Sequence, residues 1–508
     1  MSKVHSVMAR GIRLRRVDHD KSGARAIRVA AALTAATVAC TLALATTAEA
    51  GVDRGLGYDT NHRGSLSLIT RITGAQAMWN AGYAGQGVGV AVIDTGITPV
   101  PGLDQPGKVL NGVDLSFDLQ DPSAVPFVDG FGHGTHMAGI IAGSDVAPDA
   151  SSAGCDKCLG TSPYTDSTKF VGIAPEAHIV NVKVGAFDGA ADVTQVIAAI
   201  RWVVDHRNDP GYNIRVLNLS YGTDTTQSAS VDPLARAIEA AWDAGIVVVA
   251  AGGNEGKLAT TLAMPAVSPV GIAVGSTDSQ DSVQVGDDKV SIFAQHGTPD
   301  RPVDFATPGT SVISLKVPGS FVDRNTTSGR IGTRFQRGSG TSQSTAIVSG
   351  LAALLFSKFP TATPDQIKGF LRANALPYKD TISGKVWFLG QGEASVSKAV
   401  LVDELPPATG TPARSTGLGS VESSRGSFHV FVNGQARTGE VDVFDQPWSS
   451  DEVSTSWDAD AWNGSRWSGS AWQGARWSGA RWTGAGWTAG VWDGARWTGA
   501  RWSDAGWE

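Results

Sequence analysis

The stretch GVGVAVIDTGI, residues 87–97, runs apolar from Val88 to Ile93 and stops on Asp94-Thr95-Gly96. It shows no polar–apolar alternation, so a strand built from it is buried on both faces, as in a parallel sheet covered by helices. Four similar runs follow, HIVNVKVG (178–185), IRVLNLSYG (214–222), GIVVVAAGGN (245–254) and VGIAVGST (270–277). Between them, ADVTQVIAAIRWVVDH (191–206) and DPLARAIEAAWDAG (232–245) carry helical periodicity, the second with Asp232 and Pro233 as start signals. The pattern predicts an α/β fold, a doubly wound and mostly parallel sheet with helices on both faces. In such sheets functional groups gather at the carboxyl ends of the strands.

The 508 residues include 41 Lys+Arg and 48 Asp+Glu, for a formal net charge of −7. A chain of this length and composition buries a substantial core, which excludes a wholly disordered or collagen-like protein. The body of the chain carries no block of like charge, so neither a nucleic-acid partner nor adhesion to membrane through a basic face is expected. Three cysteines do not make a disulfide scaffold. Cys40 falls in a segment read below as removed, and Cys155 and Cys158 are read as a small local disulfide or two inert thiols in a surface loop.

Seven Arg and Lys residues between Arg10 and Arg28 precede an apolar run from Val29 to Ala45, followed by Ala48-Glu49-Ala50. This order describes a secretory signal peptide over 1–50, leaving no stable membrane span after its removal and an extracellular or cell-envelope location. A short leader (51–64), a main domain (65–403) and a Pro, Gly, Ser and Thr-rich linker (404–424) follow. Alternating runs around Asn433-Gly434 predict a small β-hairpin segment over 425–445. From 446 to 508, tryptophan recurs every five residues from Trp457 to Trp507. The unit resembles pentapeptide repeats, with Trp in place of Leu or Phe. It is read as a flexible Gly-spaced tail, a compact repeat, or a strip of exposed indoles contacting an envelope polymer.

Three segments place a reactive side chain among small residues at the end of a buried element. Asp94 closes the first strand, His133 lies in GFGHGTHMAGIIAG (130–143), and Ser342 lies in GSGTSQSTAIVSGLAALL (338–355). An acid, a base and a nucleophile are what acyl transfer requires.

These motifs, over residues 91–97, 133–139 and 340–350 and in the order Asp, His, Ser, resemble those of the subtilisin-like (subtilase, S8-type) serine peptidases. The resemblance covers roughly residues 65 to 400 and implies a secreted serine endopeptidase working through an acyl-enzyme on protein or peptide substrates. It implies Ser342 as nucleophile, His133 as base, Asp94 as the residue orienting it, and Asn254 as oxyanion donor, with His136 structural. It further implies that Ser220, Tyr221 and Gly222 form a substrate-pairing edge, faced by Ala251, Gly252 and Gly253. The ring of Tyr221 either narrows a subsite or turns into the core. Against the commonest pattern, Gln343 stands for Met, Ala346 for Pro, and Gly253 lengthens the oxyanion loop by one residue.

The resemblance calls for no cofactor in the chemistry and allows structural calcium, for which Asp118, Asp121 and Asp129 are oxygen donors without clean ligand spacing. Residues 51–93 leave no room for the large inhibitory propeptide many family members carry. The carboxyl-terminal appendage is therefore expected to take over part of its folding or restraint role. The alternative is an envelope- or partner-binding protein, with the Trp-rich tail as the main functional element on a restrained or inactive peptidase fold.

Overall fold

The computed structural model describes residues 55–120, 123–146, 161–256, 258–259, 261–377, 389–407, 412–432, 435–443, 447–449 and 501–502. The expected signal peptide, Asp121, the Cys155/Cys158 loop and all eleven repeat tryptophans except Trp502 lie outside these residues.

Helices α1 (Leu66–Ile72) and α2 (Ala75–Asn80) open the described chain. The first half of the main sheet is built from β1 (Gly89–Asp94), β2 (Val109–Asp114), α3 (His133–Ala142), β3 (His178–Lys183), α4 (Val193–His206) and β4 (Ile214–Leu219). Then come α5 (Pro233–Asp243), β5 (Val247–Ala251), β6 (Ile272–Asp278), β7 (Lys289–Val290) and β8 (Phe305–Pro308). The strands run in the order β2-β3-β1-β4-β5-β6-β7, with β8 also paired to β6. Every pairing is parallel except β6 with β7, so the expected doubly wound, mostly parallel sheet is the fold.

The local reasons are legible in the sequence. Asp192 caps α4 by accepting from Thr194 N at 2.9 Å, while Gln195 accepts the Asp192 N–H at 2.7 Å, a reciprocal cap that satisfies otherwise unpaired donors. Asp232 accepts from Leu234 N and Ala235 N, and Pro233 occupies the first turn of α5. Strand β2 was invisible to the apolar-run criterion because Asn111 and Gly112 interrupt it and most of it is half-buried.

A second, smaller sheet follows: β9 (Val312–Leu315), α6 (Phe321–Asn325), β10 (Arg330–Ile331) and β11 (Phe335–Ser339). Strand β11 feeds directly into α7 (Thr341–Lys358), which packs on α3 and on β4, β5 and β6. Helices α8 (Pro364–Asn374) and α9 (Val421–Arg425), the hairpin β12 (Phe431–Val432) and β13 (Gln435–Ala436), and β14 (Arg501–Trp502) complete the chain. Strands β12 and β13 pair antiparallel, Phe431 opposite Ala436 and Val432 opposite Gln435, while Asn433-Gly434 lie outside the described residues. Among the described residues, no helix is long and apolar enough to cross a membrane.

Two stretches expected to be accessory pack on the main body instead. Residues 55–64, within the expected leader, bury Tyr58 edge-on against Phe335 at 5.4 Å, and the Gly64 carbonyl accepts the Ile313 N–H at 2.8 Å. The described part of 404–424 is not a free linker: Ser415 donates its N–H to Glu239 at 2.7 Å and its hydroxyl to Asp232 O at 2.9 Å. Helix α9 then lies against α4 and α5. Linker composition misled because the same Ser and Thr hydroxyls that solvate a tether also cap and satisfy a docked backbone.

Beside β6, Asp288 and Glu393 are buried, and neither Asp288 carboxylate oxygen has a hydrogen-bond partner among the described residues. Burial first, then the neighbouring Glu393 charge, raises the Asp288 carboxyl far above the usual range, and burial does the same to Glu393. A raised carboxyl binds more protons folded than unfolded, so its stabilisation falls as pH climbs from the ordinary carboxylate range of about 4 toward alkaline values. Asp288→Asn is expected to raise the melting temperature at pH 8–9 by several degrees, with the gain shrinking toward pH 5. Equal gains at both pH values in a thermal scan would contradict this.

Candidate active site

Asp94 is the last residue of β1, His133 the first of α3, and Ser342 the second of α7. The packing of α3 on α7 brings the three elements together. His133 Nδ1 lies 2.8 Å and 2.9 Å from the two Asp94 carboxylate oxygens, and both side chains are buried. Asp94 also accepts the Thr95 N–H at 2.7 Å, which fixes its plane.

The glycine after His133 is sterically required, because a Cβ on Gly134 would sit 2.1 Å from the Gly96 carbonyl and 3.2 Å from Asp94 Cβ. Gly132 enters the helix at φ +106°, in the region that favours glycine. His136 faces the interior, where burial, with the His133 charge second, pushes it down to about 3. It therefore stays neutral, consistent with a structural part.

Sequence reasoning missed three supporting residues. Thr95 Oγ1 donates to Asp129 at 2.8 Å and accepts the Gly134 N–H at 3.0 Å, tying the Asp94 turn to the His133 helix. Asp129, read as a calcium donor, accepts from Thr95 and Gly132 on one oxygen and from Thr135 on the other. Asp118 is held by Lys183 Nζ at 2.7 Å and by the Phe187 N–H at 2.9 Å. Each of these two carboxylates is thus held by groups of the fold, and among the described residues no three His, Cys, Asp or Glu side chains are grouped to hold a metal ion. The third residue is Thr341, whose N–H and hydroxyl both meet Asn254 Oδ1, at 2.9 Å and 3.1 Å. Its place beside Ser342 in G-T-S was the available signal.

The expected substrate edge converges on the same point. Ser342 Oγ lies 3.5 Å from Ser220 O, and Ser220 Oγ donates to Ser342 O at 3.3 Å. Tyr221 is 1% exposed, as buried as Ser342 and His133. One residue past Gly222, Thr223 exchanges N–H···O bonds with Met264 at 2.9 Å and 3.0 Å. The facing wall is anchored by Gly252 N on Val274 O at 2.9 Å and by Gly253 N on Thr341 Oγ1 at 3.2 Å. Gln343 is buried beside the nucleophile, and its amide has no partner among the described residues.

Asp94, His133 and Ser342 thus stand at three strand or helix ends of a mostly parallel α/β sheet. The sequence matches the subtilase family over residues 85–419, more than half of the chain, and the chain belongs to that family. It is 36% identical over 303 residues to serine protease AprX of Bacillus subtilis (strain 168), covering 58% of this chain and 63% of that relative's length. Subtilisin E of the same organism is 31% identical over 328 residues, covering 64% of this chain and 68% of the relative. Subtilisin of Bacillus pumilus is 30% identical over 328 residues, covering 64% of this chain and 95% of the relative. Among solved structures, a cold adapted subtilisin-like serine proteinase has 26% identity and a TM-score of 0.44, covering 62% of this chain and 89% of that one.

Proposed function

We propose that this chain is a secreted serine endopeptidase that cleaves protein or peptide substrates through an acyl-enzyme on Ser342. The carrying observation is the buried contact of Asp94 with His133 Nδ1 on a helix packed against that of Ser342. With Nδ1 committed to Asp94, Nε2 is the nitrogen that takes the Ser342 proton as Oγ attacks the scissile carbonyl. His133 then returns that proton to the leaving amine, and water repeats the sequence to release the acyl group. Asp94 stabilises the imidazolium without itself taking the proton.

The oxyanion is received by the N–H groups opening α7 and by Asn254. Because Thr341 holds Asn254 Oδ1, the amide's donor end, Nδ2, is directed away from Thr341. An extended substrate adds a strand along Ser220–Gly222, and the Thr223–Met264 pairing ends that edge. Secretion rests on the pattern of residues 1–50.

Restraint of this site by the chain's own carboxyl-terminal region is favoured by one observation. Strand β14 pairs antiparallel with β11, Trp502 opposite Gly338 and Arg501 opposite Ser339, immediately before the nucleophile's turn. Labelling by a fluorophosphonate probe is expected at Ser342 and is expected to quicken several-fold when Arg501→Pro and Trp502→Pro together remove the β14 donors. Unchanged labelling in that variant rejects the restraint, and absence of labelling in both proteins argues against an assembled nucleophile.

A further inference from the structure

The residue that lengthens the oxyanion loop, Gly253, creates a demand the rest of the fold must meet. The inserted turn leaves main-chain polar groups on both sides of Asn254 to be paired, and a buried peptide group without a partner is costly. Both are paired by one residue from a distant segment. The Gln295 N–H donates to Gly253 O at 3.0 Å, and Gln295 Oε1 accepts the Glu255 N–H at 3.3 Å. The other end of the same amide, Nε2, donates to Thr261 O at 2.8 Å, which fixes which way the amide faces.

Gln295 is 7% exposed, and a Cβ on Gly253, whose φ is +113°, would lie 1.9 Å from Gln295 Oε1. The inserted residue is thus a glycine because the Gln295 amide occupies the space a side chain would need. One residue on, Gly256 N donates to Phe293 O at 2.8 Å, so the whole loop 253–256 is laced to the segment 293–295.

We propose that Gln295 is the positioning residue of the oxyanion site: it clamps the peptide units flanking Asn254 and thereby aims Nδ2 at the developing oxyanion. Thr341 grips Asn254 by its Oδ1 from one side, and Gln295 grips the backbone that carries it from the other. A shorter side chain at 295 does not reach Glu255 N, and an apolar one of equal length offers no acceptor. The inference rests on Asn254 serving as oxyanion donor, and its test separates the two claims.

Steady-state hydrolysis of a chromogenic peptide anilide by the full chain is measured for Asn254→Ala, Gln295→Ala, Gln295→Met and each Gln295 variant combined with Asn254→Ala. Gln295→Met keeps the volume and the main-chain bond to Gly253 O but loses the two side-chain bonds, to Glu255 N and Thr261 O, which guards against a collapse peculiar to the Ala variant. Asn254→Ala is expected to lower kcat by about 10²–10³, the range known for that donor in subtilisin. Each Gln295 variant is expected to lower kcat about tenfold, with KM within about twofold, and to cost almost nothing further once Asn254 is gone. An equal loss in both backgrounds, or no loss with Asn254 present, overturns the positioning role while leaving Asn254 as donor. No loss on Asn254→Ala overturns the donor assignment and the inference with it.

Discussion

Ser342→Ala is expected to reduce turnover on a peptide substrate by about 10⁶-fold while leaving KM nearly unchanged; that magnitude is the one established for subtilisin itself. The reason lies in how the site is assembled. The bond to the scissile carbonyl is made by one oxygen, at the start of a helix packed against the helix of its base. Alanine removes that oxygen without disturbing the Asp94–His133 contact or the Thr341 grip on Asn254. Rate remaining above uncatalysed hydrolysis, about 10³-fold or more, would come from the oxyanion donors and substrate binding. Because the triad acts as a unit, His133→Ala should cost about as much, and Ser342→Ala combined with His133→Ala little more than either. Active-site titration alongside the rates controls for contaminating protease. Retention of more than about a hundredth of the activity by Ser342→Ala would remove this residue from the chemistry.

Arg425→Ala is the substitution expected to cost the most stability. Its guanidinium is fully buried, with Nε 2.7 Å from Asp192 and Nη1 donating to Glu422 at 3.1 Å and to Gly439 O at 2.9 Å. Asp192 is itself buried and caps α4, so removing the arginine strands a carboxylate inside the fold. Breaking a buried pair in this way costs about 3–5 kcal/mol. In a domain of this size the melting temperature should fall by about 4–7 °C. The comparison is best made in the Ser342→Ala background, where self-digestion does not confound the scan. Converting both partners together, Asp192→Asn with Arg425→Met, keeps the cap and leaves no unpaired charge, so it should recover much of the loss. A fall of less than about 2 °C for Arg425→Ala would mean that the 412–443 segment is dispensable to the fold.

What could be read from the letters was whatever short-range physics decides. The unbroken apolar runs specified strands buried on both faces, and Asp192 and Asp232 announced their helices because a cap needs only its own next two or three residues. Asp94, His133, Ser342 and Asn254 stood out because each sits at the end of such an element among small residues, and the motifs around them resemble a family. The antiparallel pairing of β12 with β13 was visible for the same local reason.

Most of the supporting cast was not legible, since its members act across long stretches of chain. Thr341 meets Asn254 from 87 positions away, Gln295 meets Glu255 from 40, and Arg425 meets Asp192 from 233. Asp129 and Asp118 looked like solvated or metal-binding carboxylates because nothing nearby in the sequence named Thr95, Thr135 or Lys183 as their partners. The stretch 404–424 looked like a tether until the buried Asp232 and Glu239 supplied acceptors for Ser415. The sequence by itself determined the class of fold, since periodicity, capping and turn chemistry are encoded within a few residues, and its motifs pointed by resemblance to the side chains proposed to react. The tertiary structure alone decided what holds those side chains in line, because a buried polar group is satisfied by whichever partner the folded chain brings within about 3 Å, however far off in sequence that partner lies.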